Sequence, residues 1–511
     1  MARTATLAHI PLAQEGAWRH WSAQPGVLAG GAVVVGLLGG ALAVSVGPII
    51  PIALLIAVGV GVAILLDARV GLAAALAVVC LLPYATLPVK VGLTFTLLEA
   101  ATLLTIAVWA LRLGYDRSEV ILTSPLFVPL GFFVIETAVA FLLGAGRNTT
   151  TQTAHDYLKL LLGVGMIVLV VNLLRDARDV ARFTTVIVAG GALASALAII
   201  LQRLSVGATT RILLRLSVVG YPTDRIVRYI EDNPALARRA TGTGVDPNAF
   251  GGFLMLVLVL AVGQAVASRP VVPRRLAVVT VPLAGLALLF TESRAAWLGA
   301  AAGIALLALV RYRRLIVPLA ILGIAAAAFG AGSGYLSRLS GGLHGQDAAT
   351  QLRFREFSNA FALIKQYPIF GVGFGDAPSI NLQTGVSSAY LTVAERTGLI
   401  GLALYLFVLG LMLTRLMRGA LRASADDPFG ELTLAVGAAL IAACLAATLD
   451  HYFFNLGFPH MAAIFWSLAG LGEVALCLTA HRAPADRPRD ARDRGARSAA
   501  RSRHRPLVRR G

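Results

Sequence analysis

The sequence predicts an all-α, polytopic membrane protein with about 12 to 14 transmembrane helices and two long extracytoplasmic loops. Three observations lead to this prediction. Of the 511 residues, 57% are hydrophobic and 14% are charged, and the mean hydropathy is +0.78. Apolar stretches long enough to cross a bilayer recur along the chain. Arginines concentrate in alternate loops, as the positive-inside rule requires.

The formal net charge of +18 does not indicate a nucleic-acid-binding protein. Residues 481–511 alone contain eleven arginines and three aspartates, which is a local charge of +8. We interpret this segment as a disordered, arginine-rich cytoplasmic tail near the membrane surface. Membrane lipids, and no nucleic acid, are therefore the expected partners of this charge.

About fourteen apolar stretches of roughly 17 to 25 residues are candidate membrane spans. They begin near Val27, Gly47, Val70, Thr94, Thr123, Lys159, Phe183, Asn248, Leu276, Ala295, Leu315, Gly398, Leu432 and Met461. The predicted organisation is a cytoplasmic segment at 1–26, helices 1–7 at 27–201, a first long outer loop at 202–247, helices 8–11 at 248–331, a second long outer loop at 332–397, helices 12–14 at 398–480 and the tail at 481–511. The first span is expected to be an uncleaved anchor.

The positions of the arginines predict the orientation of these spans. If both termini are cytoplasmic, the short inner loops receive most of the arginines between the spans. These are Arg112, Arg117, Arg175, Arg178, Arg182, Arg269, Arg274, Arg275, Arg311, Arg313, Arg314, Arg415, Arg418 and Arg422. We therefore predict a multi-pass protein with both termini in the cytoplasm.

The two long outer loops are charged, unlike the short turns beside them. Residues 202–247 carry seven basic and four acidic residues, and residues 332–397 carry five and four. Short amphipathic helices at the membrane surface are expected in both loops. The helix expected in the second loop has Phe354, Phe357, Phe361 and Ile364 on its apolar face and Arg355, Glu356 and Lys365 on its polar face. A water-facing site has room only in these loops.

Motifs for ATP coupling, serine hydrolysis and zinc proteolysis are absent from the sequence. It contains no Walker loop, no G-x-S-x-G, no H-E-x-x-H and no paired metal-ligand spacing. Cys80, Cys444 and Cys477 each lie in an apolar run without a C-x-x-C pair. We expect no metal and no cofactor, so the energy for any reaction must arrive with the substrate.

Four short patterns fall on the same predicted face of the membrane. They are GVDPNAFGG at 244–252, TESRAAW at 291–297, RFREFSNAFALIKQYPIFGVGFG at 353–375 and YLTVAERTGLIG at 390–401. The first is also typical of a helix start, with Asp246 as the N-cap and Pro247 at the first helical position. In their order and spacing, the four patterns resemble the O-antigen ligase and O-antigen polymerase family over about residues 241–470.

The resemblance implies a glycosyltransferase of the bacterial inner membrane. Its donor would be a glycan carried on undecaprenyl diphosphate, and transfer would be inverting and metal-independent. The acceptor hydroxyl would belong to another lipid-linked glycan in a polymerase or to lipid A core in a ligase. A chain-length regulator protein is a further partner that such an enzyme could have.

Arginines are the expected ligands of the donor diphosphate, because no metal motif is present to neutralise it. Arg294 ranks first, since it lies at the outer end of a hairpin between two apolar spans, where an arginine is costly. Snorkelling to the lipid headgroups or pairing with Glu292 is the structural alternative. One of Arg353 and Arg355 should face the site, because residues two apart on a helix point in divergent directions, and the resemblance favours Arg353.

Backbone and polar groups complete the predicted donor site. Asp246 and Asn248 lie at the start of span 8. Gly371 and Gly373, followed by Gly375, would let the backbone approach a ligand closely, although a reverse turn explains these glycines equally well.

Glu395, Asp376 and His344 are the candidate general bases. The position of Glu395 matches the resemblance, but this residue also fits a helix cap. Members of the family typically have a His-Asn pair where this sequence has Ser387 and Ser388. A hydroxyl cannot act as a base near neutral pH without its own activator, so the identity of the base is open.

Two other classes of protein remain alternatives. Glu99 and Glu136 lie in apolar spans, where ionisable groups usually serve a pathway, so a lipid or polysaccharide transporter is one alternative. A non-catalytic protein with the same fold is the other. His451 and His460, at the outer ends of the last two spans, are further candidate bases, and an interfacial belt with Tyr452, Phe453 and Phe454 is the structural alternative.

Overall fold

The computed structural model describes residues 4–6, 49–87, 94–117, 119–146, 148–321, 348–376 and 385–482, and these are predominantly α-helical. The helices are α1 (Ile49–Leu66), α2 (Ala68–Leu81), α3 (Leu97–Tyr115), α4 (Phe127–Leu143), α5 (Thr151–Leu173), α6 (Ala177–Arg203), α7 (Val206–Leu214), α8 (Pro247–Val266), α9 (Arg274–Phe290), α10 (Arg294–Val310), α11 (Ala348–Gln366), α12 (Ala389–Arg422), α13 (Pro428–Ala446) and α14 (Pro459–Arg482). Short 3-10 helices follow at Arg215–Val219, Ile230–Asp232 and Arg313–Leu315. The strands are β1 (Thr4–Thr6), β2 (Ile121–Thr123), β3 (Arg228–Tyr229) and β4 (Arg238–Arg239).

The predicted all-α membrane fold is confirmed. Twelve of the fourteen predicted spans coincide with described helices, while the first span and most of the eleventh lie outside the described residues. Seven of these helices are long and apolar enough to cross a membrane: α3, α5, α6, α8, α12, α13 and α14. Four shorter apolar helices accompany them, including α2, α4 and α10. The short helix α7 confirms a helical element in the first long loop.

Three helices, α8, α13 and α14, form the centre of the bundle. Most of each is buried by other helices, whereas α3 and α12 are largely exposed on their outer sides. The helix α8 is apolar on all sides, as a helix surrounded by others should be. Gly299 and Gly303 of α10 face the backbone of α13 at Ala442 and Ala438, so the two helices approach closely through small residues.

Each connection between helices lies at one of the two ends of the bundle. The long-loop end holds residues 82–87, 94–96, 144–146, 148–150, 204–246, 291–293, 367–376, 385–388 and 447–458, and contacts such as Thr243 Oγ1 to the Leu81 carbonyl join these connections. The arginine-rich end holds residues 116–117, 119–126, 174–176, 267–273, 311–315 and 423–427. There β1 pairs in parallel with β2. The arginines predicted to share one side therefore do so, and which end faces the cytoplasm stays a prediction.

The helix α12 begins nine residues before the predicted span and breaks at Gly398, where the span was expected to start. Gly398 has φ 69° and ψ −172°, a conformation open to glycine. A strap of residues 367–376 crosses this break: Val372 N donates to the Glu395 carbonyl at 2.8 Å and Gly373 N to the Arg396 carbonyl at 2.9 Å. Leu399 N in turn donates to the Pro368 carbonyl at 2.7 Å. The strap thus satisfies backbone groups that the break leaves without helical partners.

The two acids that favoured a transporter have different surroundings. Glu99 lies in the first turn of α3, where it forms a capping box with Thr96 and contacts His155 Nε2 at 2.6 Å. Glu99 thus lies within a candidate span, as predicted, at the first turn of the helix and near the long-loop end. Glu136 lies within α4 and is buried, and its Oε1 has no hydrogen-bond partner among the described residues.

Candidate functional site

The start of α8 has the predicted capping geometry. Asp246 is the N-cap, and its carboxylate accepts hydrogen bonds from Asn248 N and Ala249 N, both at 2.8 Å. Pro247 occupies the first helical turn. This carboxylate is fixed at the long-loop end by the helix that it caps.

Arg239 joins the start of α8 to the turn before α10. Its Nη2 donates to Asn248 Oδ1 at 2.6 Å, and its Nε donates to the Thr291 carbonyl at 2.8 Å. The antiparallel pairing of β4 with β3 holds the backbone of Arg239 opposite Arg228. No hydrogen bond uses its Nη1 among the described residues, so two N–H donors remain for a ligand. Burial lowers the pKa of Arg239, and the nearby carboxylates of Asp246 and Glu292 oppose this shift.

The turn after α13 brings a second buried carboxylate to this place. Asp450 accepts a hydrogen bond from His451 N at 2.9 Å, and its backbone carbonyl accepts one from Ala389 N at 3.0 Å. Burial raises the pKa of Asp450 to about 7, with a further increase from Asp246 and decreases from Arg353 and Arg239. Burial also lowers the pKa of His451, so this imidazole is neutral near pH 7.

Replacing Asp450 by asparagine should change the pH dependence of stability. The pKa of Asp450 in the folded protein, about 7, lies above that of an unfolded aspartate, so the folded state binds more protons between these values. The free energy of unfolding of the wild type should therefore fall as pH rises towards 7, and Asp450→Asn should lack this decrease. We expect the free energy of unfolding of Asp450→Asn to rise by about 2 kcal/mol relative to that of the wild type between about pH 5 and about pH 8. Thermal unfolding in detergent at a series of pH values measures it, and parallel curves for the two proteins would contradict it.

The helix α11 presents Arg353 and Glu356 to the bundle and Arg355 to the outside. Arg353 and Glu356, three residues apart, are half-buried on the face that also carries buried Ala360 and Leu363, whereas Arg355 is exposed. Phe354 and Phe361 are exposed on the outer side, as a membrane-surface helix requires. The predicted divergence of the two arginines is therefore present. The prediction that Glu356 shares a face with Arg355 is wrong, because Glu356 turns towards Ser387.

Ser387 holds Glu356 through two hydrogen bonds. Ser387 N donates to Glu356 Oε2 at 3.0 Å, and Ser387 Oγ donates to the same oxygen at 2.7 Å. Glu356 in turn raises the pKa of His451, which places its carboxylate near the imidazole. Ser388 is the N-cap position of α12 and is buried against the Ala447 carbonyl.

We call Arg239, Asp246, Arg353 and Asp450 the arginine–acid cluster. The four groups interact electrostatically, since the charges of Arg239, Asp246 and Arg353 each shift the pKa of Asp450. They come from the first long loop, α11 and the turn after α13, which are far apart in the sequence. Two arginines near two carboxylates can bind an anionic group and also orient a polar substrate beside it.

Arg294 lies beside this cluster at the first position of α10. It is half-buried, and the turn that precedes it, residues 291–293, supplies the Thr291 and Glu292 carbonyls that accept from Arg239. The hydroxyl of Ser293, next to Arg294, is buried and has no hydrogen-bond partner among the described residues. Arg239 therefore connects the turn that precedes Arg294 with Asn248 at the start of α8.

The candidate bases predicted from the sequence lie elsewhere or outside the described residues. Glu395 is buried beside the strap, with its Oε1 accepting from Gly385 N at 3.2 Å and its Oε2 without a partner in the described part of the chain. Asp376 is exposed, and its Oδ2 accepts from Asn148 Nδ2 at 3.3 Å. His344 lies outside the described residues. Among the described residues, neither Glu395 nor Asp376 forms a hydrogen bond with the arginine–acid cluster.

The glycines of the strap pack against backbone. A Cβ on Gly371 would lie 2.5 Å from the Glu395 carbonyl oxygen, and one on Gly373 would lie 2.6 Å from the Ala140 carbonyl oxygen. The Gly373 and Gly375 carbonyls accept hydrogen bonds from Arg396 Nη1. This geometry favours the reverse-turn interpretation of these glycines.

Arg239, Glu356 and Asp450 were not singled out as site residues from the sequence. Arg239 lies in a two-residue strand with no periodic signal, and Asp450 follows a turn whose position depends on contact with Ala389. The one sequence signal that could have identified these three residues is that they are charged and lie at the long-loop end. Among the described residues, no group of three or more His, Cys, Asp or Glu side chains is placed to hold a metal ion.

Comparison with known proteins identifies the family of the central segment. Residues 279–406 match the sequence profile of the O-antigen ligase family. No curated protein sequence matches the chain. A solved structure described as "Structural coordination of polymerization and crosslinking by a peptidoglycan synthase complex" is similar at 19% identity and a TM-score of 0.36, over 70% of this chain and 98% of that chain. The family resemblance predicted from the four patterns is thus confirmed for residues 279–406, which include Arg294, Arg353 and Ser387.

Proposed function

We propose, from this O-antigen ligase segment, that the protein is a glycosyltransferase that transfers a glycan from undecaprenyl diphosphate to an acceptor hydroxyl at the extracytoplasmic face. The observation that supports it most is the arginine–acid cluster at the long-loop end. Three parts of the chain contribute to this cluster, and residues 291–294 and 353 of the O-antigen ligase segment adjoin or join it.

The arginines suit the binding of a diphosphate. Arg239 has two uncommitted N–H donors on Nη1, and Arg353 makes no hydrogen bond to the described residues. Guanidinium groups bind phosphate oxygens through paired hydrogen bonds, and the half-buried Arg294 follows the turn whose Thr291 carbonyl accepts from Arg239. The loss of a diphosphate leaving group is thereby stabilised by fixed cations, which makes a metal ion unnecessary for this step.

Transfer is proposed to invert the anomeric carbon. The acceptor oxygen attacks the face opposite the diphosphate, the bond between the anomeric carbon and the diphosphate oxygen breaks, and the electron pair leaves with the diphosphate. The acceptor is the end of another lipid-linked glycan in a polymerase or lipid A core in a ligase. A lipid or polysaccharide transporter stays the alternative, because Glu99 and Glu136 are both buried acids within described apolar helices, but Glu99 is bound in a capping box with Thr96.

Arg239→Gln should abolish long surface glycan in cells. The substitution removes a cation from the proposed diphosphate site and two donors from Nη1, so we expect lipid-linked units to accumulate. The measurement is the length of surface glycan in a deletion strain complemented with each variant, with membrane levels checked by immunoblot. Arg239→Lys, which keeps the charge but not the planar fork, should restore the phenotype only in part.

Arg215→Gln is the matched control, because Arg215 is an exposed arginine of the same loop. It should give wild-type glycan. Normal glycan in Arg239→Gln at normal protein level would contradict the proposed site. Loss of glycan without any accumulation of lipid-linked units would contradict a transferase that acts on that donor.

A further inference from the structure

The geometry around Ser387 points to a specific base, and we infer that Glu356 takes the proton from the acceptor hydroxyl while Ser387 positions the Glu356 carboxylate. This inference rests on the proposed glycosyl transfer and names the residue that performs its proton step. Neither the match of residues 279–406 to the O-antigen ligase family nor the four sequence patterns gave Glu356 a role in the reaction.

Glu356 has the connections that a positioned base needs. Its two hydrogen bonds to the described residues, from Ser387 N at 3.0 Å and from Ser387 Oγ at 2.7 Å, reach the same oxygen, Oε2. Its other oxygen, Oε1, has no hydrogen-bond partner among the described residues and remains able to accept from a substrate hydroxyl. The carboxylate is thus held at one oxygen and available at the other.

Its location relative to the cations also fits. Arg353 precedes Glu356 by three residues on α11, so both side chains leave the same face of the helix, one turn apart. The arginine would hold the leaving group while the carboxylate receives the proton of the attacking hydroxyl. Base and leaving-group site must be close but distinct for an inverting displacement, since the nucleophile and leaving group lie on opposite sides of the reacting carbon.

The proton step balances without any further reactant. The acceptor O–H bond breaks, its proton passes to Glu356 Oε1, and the acceptor oxygen forms the new bond to the anomeric carbon. The bond from that carbon to the diphosphate breaks, and the diphosphate leaves with the electron pair beside Arg353 and Arg239. The protonated carboxyl then releases its proton to water.

Two neighbouring groups are competitors for this role. His451 is neutral near pH 7 and electrostatically coupled to Glu356, but its Nδ1 is buried and lies 3.6 Å from Asp450 Oδ1. The Asp450 carboxylate is buried and already accepts from His451 N. Glu356 is more accessible than Asp450 and has an oxygen without a partner, which favours it.

The test uses the purified full-length protein in detergent, with the lipid-linked repeat unit from a strain that lacks this protein as the substrate. Glu356→Gln should lower kcat about 100-fold or more, because the amide cannot accept the proton. Binding of undecaprenyl diphosphate, measured in parallel, should stay at the wild-type level. Glu231→Gln is the matched control, an exposed glutamate of the other long loop, and should turn over like the wild type.

Ser387 variants separate a positioning role from a structural one. Ser387→Ala removes the hydroxyl that donates to the charged carboxylate, so the acidic limb of the pH–rate profile should move about one pH unit to higher pH. Ser387→Thr keeps the hydroxyl and should restore the wild-type profile. The titratable and charged groups around His451 and Glu356 are Arg353 on the same helix as Glu356, Asp246 at the start of α8 and Asp450, which precedes His451.

The outcomes distinguish this inference from the proposed function. If Arg353→Ala loses donor binding while Glu356→Gln turns over normally, the inference is overturned and the transferase stands. If His451→Gln loses turnover and Glu356→Gln does not, the base is His451. If all of these variants turn over normally, both the inference and the proposed site fail.

Discussion

Arg353→Ala is expected to reduce glycosyl transfer about 100- to 1000-fold, as loss of one fixed group that stabilises developing charge does in other enzymes. Arg353 is half-buried on the inner face of α11 and lies close enough to lower the pKa of Asp450 and of His451. Its removal takes one cation from the diphosphate and leaves two carboxylates of the cluster less compensated. The measurement is the rate of product formation by purified protein at saturating donor.

The matched control for this prediction is Arg355→Ala on the same helix. Arg355 is exposed and points away from the cluster, so the same loss of charge should change the rate by no more than about threefold. Equal losses in the two variants would show that surface charge, and not the cluster, supports activity. If both variants had the rate of the wild type, Arg353 would not belong to the site.

Gly398→Ala is expected to have the largest effect on stability. Gly398 has φ 69° and ψ −172°, and a Cβ there would lie 2.0 Å from the Ile369 carbonyl oxygen. The substitution therefore combines a disfavoured backbone conformation with a clash against the strap, and we expect a loss of about 3 kcal/mol or more. Thermal unfolding in detergent and the yield of monodisperse protein measure it.

Gly410→Ala is the matched control, because Gly410 lies in the same helix and a Cβ there meets nothing within 4 Å. We expect a change of no more than about 1 kcal/mol, in the stabilising direction, from the higher helix propensity of alanine. If Gly398→Ala unfolds like Gly410→Ala, then the break in α12 and its contact with the strap do not contribute to stability.

The helices could be predicted from the sequence because each depends on local signals. A span needs an apolar run, and α8 adds the capping signal of Asp246 and Pro247. Span 12 was predicted to start near Gly398, and α12 has its break there, but only the contact with the strap shows why glycine is at this position. The local pattern identifies Gly398, but it does not show that the backbone of the strap packs against this glycine.

The site was predicted in part, for a similar reason. Arg294, Arg353 and the residues at the start of α8 were found because they lie next to patterns or spans. Arg239 and Asp450 enter the cluster through contacts more than fifty residues away in sequence, with Thr291 and Ala389 respectively. Ser387 was interpreted as a missing base, but its hydroxyl donates to Glu356, which a sequence alone does not reveal.

The arginine–acid cluster is proposed to bind the diphosphate of a lipid-linked glycan and to support its transfer. The most direct measurement incubates purified wild type and Arg353→Ala with the lipid-linked repeat unit and EDTA, and follows both glycan transfer and release of undecaprenyl diphosphate. We predict that the wild type forms a longer or transferred glycan and releases undecaprenyl diphosphate in equal amount, and that Arg353→Ala does neither. Equal transfer by the two proteins, or binding of the donor by the wild type without any transfer, would contradict it.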